Sequence, residues 1–242
     1  MADVEICVDN LESCLAAAEG GCSRIELCSS LAEGGLTPTP AFLVAAKKLI
    51  SVPIFCMVRC RGGDMVYSDT EAELLLHEAE DLVRAGADGL VFGALRSDGS
   101  LDEDLCRRMK AVAGALPCTF HRAFDLLSDP VQQLEKIIAL GYSRVLTSGC
   151  ESTALRGAAT IKALVQAADG RIGIMAGAGI KSTNVAEIVA STGVQSVHAS
   201  ARVCRRSSTS VTVNMGSTDD TTRWVCDATE VKKIVSIMNN IQ

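Results

Sequence analysis

Short, almost wholly apolar runs alternate along this chain with longer stretches whose apolar positions fall three and four residues apart. The first kind fits strands buried on both faces of a parallel sheet; the second fits amphipathic helices laid against that sheet. The runs predict strands at 4–9, 24–28, 54–59, 89–93, from 118 onward, and at 144–149, 172–177 and 196–201. Helices are predicted over 11–19, 41–50, 71–85 and 102–113, from 130, from 154, and over 183–191 and 228–239. Asn10 is a natural N-cap for the first, Gly20-Gly21 stops it, and Pro130 suits the first turn of the fifth. A polar, Ser/Thr-rich stretch over 203–224 separates the eighth strand from the last helix and is a candidate lid or interface. Strict alternation implies parallel strands with right-handed crossovers. Eight such units without a break in composition predict one α/β domain over 1–242, a TIM (β/α)8 barrel.

A repeat within the pattern sets which side chains point inward. Before the second, fourth, sixth and eighth strands a helix ends at Gly21, Gly86, Gly141 and Gly193, two residues pass, and the strand begins. Aligning the copies puts Ile25, Leu90, Val145 and Val197 on one face, which suits contact with helices. The other face carries Glu26, Val91, Leu146 and His198, then Cys28, Gly93, Ser148 and Ser200. Alternate strands supply one layer of four side chains inside a barrel, so Glu26 and His198 should share a layer. Cys28, Ser148 and Ser200 should lie one layer nearer the mouth. The same parity turns Glu5, Cys7, Asp9, Arg59 and His121 inward.

Active sites of this fold lie at the C-terminal ends of the strands. Potentially reactive groups gather there: Asp9; Cys28; Arg59 with Arg61; His121 with Arg122 and Asp125; His198 with Ser200. His121 or His198 could transfer protons, with Glu26 as partner and Asp125 as a further carboxyl. The structural alternative is a buried network in which Glu5 and Glu26 neutralise Arg24 and Arg144. Arg59, Arg61 and Arg122, with Asp64 and the adjoining glycine pair, suit a carboxylate or phosphate; an arginine–Asp64 pair that stiffens the loop is equally consistent. Gly177 and Gly179 follow the seventh strand as in loops that hold phosphate, or simply form a tight turn. Cys7 and Cys28 sit on adjacent strands, both inward, where two thiolates could hold Cu(I) or Zn or merely fill space. No His-x-His pair and no strand lysine is present, which argues against amidohydrolase metal sites and Schiff-base aldolases.

Composition narrows the classes. Hydrophobic residues make up 48% and aromatics 3%, so Val, Ile, Leu and Ala must fill the interior. A net charge of −6 without a long basic run gives nucleic acid no electrostatic footprint. No apolar run approaches the roughly 18 residues of a membrane span, and the first residues lead straight into a strand pattern. The 11 cysteines are odd in number and scattered, as expected of free thiols in a reducing cytosol.

Several of these motifs together, in the same order, resemble the CutC family of copper homeostasis proteins. They are Glu5-Ile6-Cys7-Val8-Asp9, Arg24-Ile25-Glu26-Leu27-Cys28, Glu33-Gly34-Gly35-Leu36-Thr37-Pro38, Arg61-Gly62-Gly63-Asp64, Thr119-Phe120-His121-Arg122-Ala123-Phe124-Asp125, Arg144-Val145-Leu146-Thr147-Ser148-Gly149 and Met175-Ala176-Gly177-Ala178-Gly179. The chain departs from the family pattern at Cys60, where proline is usual. The resemblance implies a TIM barrel that self-associates as a dimer or tetramer, in the cytoplasm and in animals also the nucleus. It implies Cu(I) binding with Cys7 and Cys28 as ligands. Copper handling is therefore the function expected. The alternative is an enzyme on a small anionic or phosphorylated ligand, with His121 as acid/base, Glu26 and His198 in support, and Arg59, Arg61 and Arg122 as anion clamp. A non-catalytic scaffold fits poorly, because it gives no reason for ionisable groups inside the barrel.

Overall fold

In the computed structural model, which describes residues 3–206 and 222–241, eight parallel strands close on themselves. The order is β1 (Asp3–Val8), α1 (Leu11–Glu19), β2 (Arg24–Leu27), α2 (Pro40–Leu49), β3 (Ile54–Met57), α3 (Asp69–Arg84), β4 (Gly89–Phe92), α4 (Glu103–Ala113), β5 (Cys118–Phe120) and α5 (Pro130–Ala139). It continues through β6 (Arg144–Thr147), α6 (Ala158–Ala168), β7 (Gly173–Ala176), α7 (Val185–Thr192), β8 (Ser196–Ala199), β9 (Arg202–Arg206), β10 (Thr222–Cys226) and α8 (Ala228–Ile241). The predicted (β/α)8 barrel is what the chain forms.

Local chemistry explains the boundaries. The Asn10 side chain accepts from the Ser13 N–H and starts α1. A reciprocal capping box between Ser68 and Glu71 starts α3 two residues before the predicted position. All four repeat glycines have positive φ, from 77° at Gly193 to 93° at Gly86, the turn a Cβ would strain. Strand β5 ends at Phe120: the His121 ring accepts from the Ala123 N–H, and a 3-10 turn over Arg122–Leu126 takes the chain out of the sheet. Helix α6 starts at Ala158, four residues later than read from sequence.

Most of the core lies between barrel and helices, as the apolar parity required; Ile25, Leu90, Val145 and Val197 are all fully buried there. A smaller cluster of Cys28, Phe55, Met57 and Val91 fills part of the barrel itself. Gly89 makes room for Phe55, since a Cβ there would stand 2.7 Å from its ring. The Arg24 and Arg144 guanidiniums lie 5.1 Å and 5.9 Å from the centre of that ring. Asp3 accepts from both arginines and from Ser196, so charges close the N-terminal end of the barrel in matched pairs.

The stretch 203–224, expected to be a polar loop, instead begins and ends as an antiparallel hairpin of β9 and β10. Its middle, 207–221, lies outside the described residues, and the lid or interface reading falls there. The hairpin is tied to α1: Arg205 and Arg223 both pair with Glu12, and the Cys226 N–H donates to the Ser13 hydroxyl. Among the described residues, no helix is long and apolar enough to cross a membrane.

Candidate functional site

Strand register brings four inward side chains together. Glu5 stands opposite His198 across the β1–β8 seam, and Cys7 stands opposite Glu26 across β1 and β2. His198 Nδ1 lies 2.7 Å from Glu5 Oε1, and the other Glu5 oxygen accepts from Arg24 Nε at 2.5 Å. His198 Nε2 is 3.8 Å from Glu26 Oε2. The Cys7 thiol, a Glu26 oxygen and a His198 ring nitrogen all fall within 4.8 Å of one another.

Their charges follow from these contacts. Burial pushes the Glu5 carboxyl up, but the His198 hydrogen bond and the Arg24 charge outweigh it and hold its pKa near 2. Glu5 is therefore ionised, and His198 keeps its proton on Nδ1, facing it. Burial works against a charged His198, yet Cys7, Glu26 and Glu5 together lift its pKa well above the ordinary 6.5. Burial pushes Glu26 up to about 7, with the Glu5 charge adding to the rise and His198 opposing it.

Cys28 departs from expectation. It does not join Cys7 in the three-donor group; the group's other members are His198 and Glu26. Its thiol donates to Glu26 Oε2 at 3.5 Å, and it packs with Phe55, Met57 and Val91. Gly35 closes over it, so tightly that a Cβ there would stand 3.0 Å from the sulfur. Burial first, then the Glu26 charge, pushes this thiol's pKa well above the usual range.

A cavity of about 380 Å³ opens on this group, walled also by Arg59, His121 and Arg122. A second one of about 620 Å³ shares Cys7, His198, Arg122 and Ser200 and extends to Gly179. His121 is buried, and its Nδ1 accepts the Ala123 N–H at 3.2 Å. Burial, and then the Arg59 charge, lowers its pKa to about 4. The imidazole is thus neutral with its proton on Nε2, which makes that nitrogen a hydrogen-bond donor. Arg59 is buried too, and spends two nitrogens on the Glu33 and Gly63 carbonyls.

Other predicted site residues take different parts. Asp125 is turned away from the cavity: it accepts from the backbone N–H groups of Ser148 and Cys150 and from Arg122 Nε. Ser148 accepts from Arg122 Nη2 at 2.9 Å. Asp125 and Ser148 therefore pin Arg122 at the mouth and do not themselves wall the cavity. Arg61 and Asp64 pair with each other at 3.1 Å, and Glu71 at the start of α3 draws Arg61 outward; the stiffened-loop reading holds for them. Gly177 is a packing position, because a Cβ would stand 2.5 Å from Leu146. In the loop beyond Gly179, the Ser182 N–H donates to Glu230 of α8.

Two contributors were missed. Glu5 was assigned to the buried network, although its inward parity was legible and made it the obvious partner of a histidine opposite. Arg202, at the start of β9, lines both cavities; only recognition of the hairpin would have flagged it.

With the geometry in hand, comparison with known proteins adds the lineage. A sequence profile of the CutC family matches residues 2–203. A Homo sapiens protein named copper homeostasis protein cutC homolog is 44% identical over 98% of this chain and 89% of its own length. A CutC family protein of Porphyromonas gingivalis is 41% identical over 98% of both chains. A solved structure of a copper homeostasis protein CutC from Streptococcus agalactiae covers 83% of this chain and 99% of that one, with a TM-score of 0.79 at 32% identity.

Proposed function

The chain belongs to the CutC family, and on that premise we propose that it acts in copper handling by binding Cu(I) at the barrel mouth. The ligands in this reading are the Cys7 thiolate and His198 Nε2, with Glu26 as the third donor. The observation that carries it is the Glu5–His198 contact. A metal-binding histidine characteristically gives its other ring N–H to a carboxylate, which fixes ring orientation and makes the free nitrogen a better ligand. Glu5, held ionised by Arg24, supplies that carboxylate and leaves Nε2 toward Cys7 and Glu26. The donor set suits the ion: a soft thiolate and an imidazole favour Cu(I), whereas a site of oxygens alone would favour Mg or Ca.

Anaerobic Cu(I) titration against a competing chelator tests this. Cys7→Ser and His198→Gln should each weaken binding more than tenfold, while Cys28→Ala leaves it unchanged. Equal losses in Cys28→Ala and Cys7→Ser would return the site to the two-thiol arrangement. Retention of full affinity in His198→Gln would end the proposal. The reading extends to a reducing compartment, cytoplasmic and in animal cells also nuclear, which suits 11 free cysteines. It also includes self-association as a dimer or tetramer, which light scattering of the full chain would measure.

A further inference from the structure

Four buried side-chain polar atoms have no hydrogen-bond partner among the described residues: Glu26 Oε1, Arg59 Nε, His121 Nε2 and Gln133 Oε1. The first three belong to residues that wall the same cavity. Native proteins satisfy nearly all buried polar atoms, so three in one wall point to a ligand. Arg59 sharpens this. It is 5% exposed, and no carboxylate among the described residues pairs with it. A buried cation without a counter-charge is strongly disfavoured, and a bound anion would offset that.

From these atoms we infer that the inner cavity is a binding site for a small hydroxycarboxylate. Its carboxylate oxygens lie on Arg59 Nε–H and His121 Nε2–H, and its hydroxyl donates to Glu26 Oε1. The donors select the anion. The Ala123 N–H holds His121 Nδ1 as acceptor, so Nε2 carries the hydrogen. Arg59 has committed two of its nitrogens to carbonyls and keeps Nε. Two N–H donors match the two oxygens of a carboxylate, whereas a phosphate dianion would bring a third oxygen with no donor at that depth. Arg122, fixed by Asp125 and Ser148 at the rim, adds positive charge along the entry. The cavity's 380 Å³ falls in the range of metabolite pockets. The site borders the proposed copper site and shares Glu26 with it, whose Oε2 faces His198 while Oε1 is the unpartnered atom, but neither Arg59 nor His121 is among the metal donors.

The test is calorimetric titration of the full chain with glycolate, L-lactate and L-malate, beside acetate and inorganic phosphate. At least one hydroxycarboxylate should bind, more tightly than acetate, which lacks the hydroxyl, and than phosphate. His121→Asn preserves an acceptor for Ala123 N–H while removing the Nε2 donor; it and Arg59→Gln should each weaken binding roughly ten- to hundredfold. Cys204→Ser, at an exposed thiol that lines neither cavity, should bind as the parent does. Should a variant fail to fold, the parent labelled with 15N-histidine gives the same answer, because its His121 Nε2–H resonance should move on adding the bound acid. The inference is overturned if no hydroxycarboxylate binds, if phosphate binds best, or if His121→Asn and Arg59→Gln bind unchanged. Loss of binding in Cys204→Ser would also overturn it, by placing the acid away from the barrel cavity, and would leave the Cu(I) proposal standing.

Discussion

Glu26→Gln should make the protein more stable at neutral and alkaline pH, and by an amount set by its surroundings. Glu26 is 3% exposed, and burial raises its pKa from the ordinary 4.5 to about 7. For an acid so displaced, the folded state holds its proton where the unfolded state has released it. Stability attributable to this group is therefore complete below pH 4.5 and falls as pH rises toward 7. At about 1.4 kcal/mol per pKa unit, the loss comes to about 3 kcal/mol above pH 7. Glutamine has the shape of the protonated acid and does not titrate, so the variant avoids that loss. Urea unfolding at pH 4, 5.5, 7 and 8.5 reads the difference between parent and variant. It should grow in the variant's favour by about 3 kcal/mol across the series, which for a chain of this size is roughly 6–12 °C in Tm. Any fixed cost of packing the amide is independent of pH and drops out of the trend. Curves that stay parallel from pH 4 to 8.5 would refute the reasoning, because they would mean that Glu26 ionises in the barrel as easily as in water.

Other substitutions address neighbouring contacts. Glu5→Gln should cost about 3–5 kcal/mol at pH 7 by leaving Arg24 and His198 without their buried counter-charge. Since the Glu5 pKa is lowered to about 2, its stabilisation is present above pH 4.5 and lost as pH falls toward 2, so parent and variant should converge in acid. Gly93→Ala puts a Cβ 2.8 Å from His121 Nδ1 and should destabilise by about 1–3 kcal/mol while weakening hydroxycarboxylate binding; an unchanged titration would contradict the placement of His121. Asp125→Ala should lower stability by about 2 kcal/mol, because the Ser148 and Cys150 N–H groups lose a charged acceptor, and should free Arg122. A Tm equal to the parent's would show that the carboxylate organises nothing.

How far the sequence could be read follows from what kind of force places each residue. Alternation along short strands is a backbone property, so Glu5, Glu26 and His198 were foreseen inside the barrel and Ile25 and Val145 outside it. Register between strands was foreseen less well: it decides that Cys7 meets His198 and Glu26, while Cys28 goes under Gly35. Roles that depend on a loop's own hydrogen bonds were out of reach. Asp125 looks like a reactive carboxyl until the N–H groups of Ser148 and Cys150 are seen to converge on it. Arg61 looks like an anion clamp until the capping box of α3 supplies Glu71 as its partner. The β9–β10 hairpin was hidden because its strands are exposed and carry arginine where buried strands carry aliphatic residues.

The pairing of Glu5 with His198 spans the line where the first strand meets the eighth. During synthesis the carboxylate emerges near the beginning and the imidazole only after nearly two hundred residues. A nascent chain released short of β8 therefore has the thiol, the acids and both mouth arginines, yet lacks the nitrogen that completes the proposed metal-binding group. On the copper proposal, capture of the ion would be restricted to molecules whose ring of strands has shut, and an immature polypeptide carrying the same thiol would be spared a premature encounter with a reactive metal.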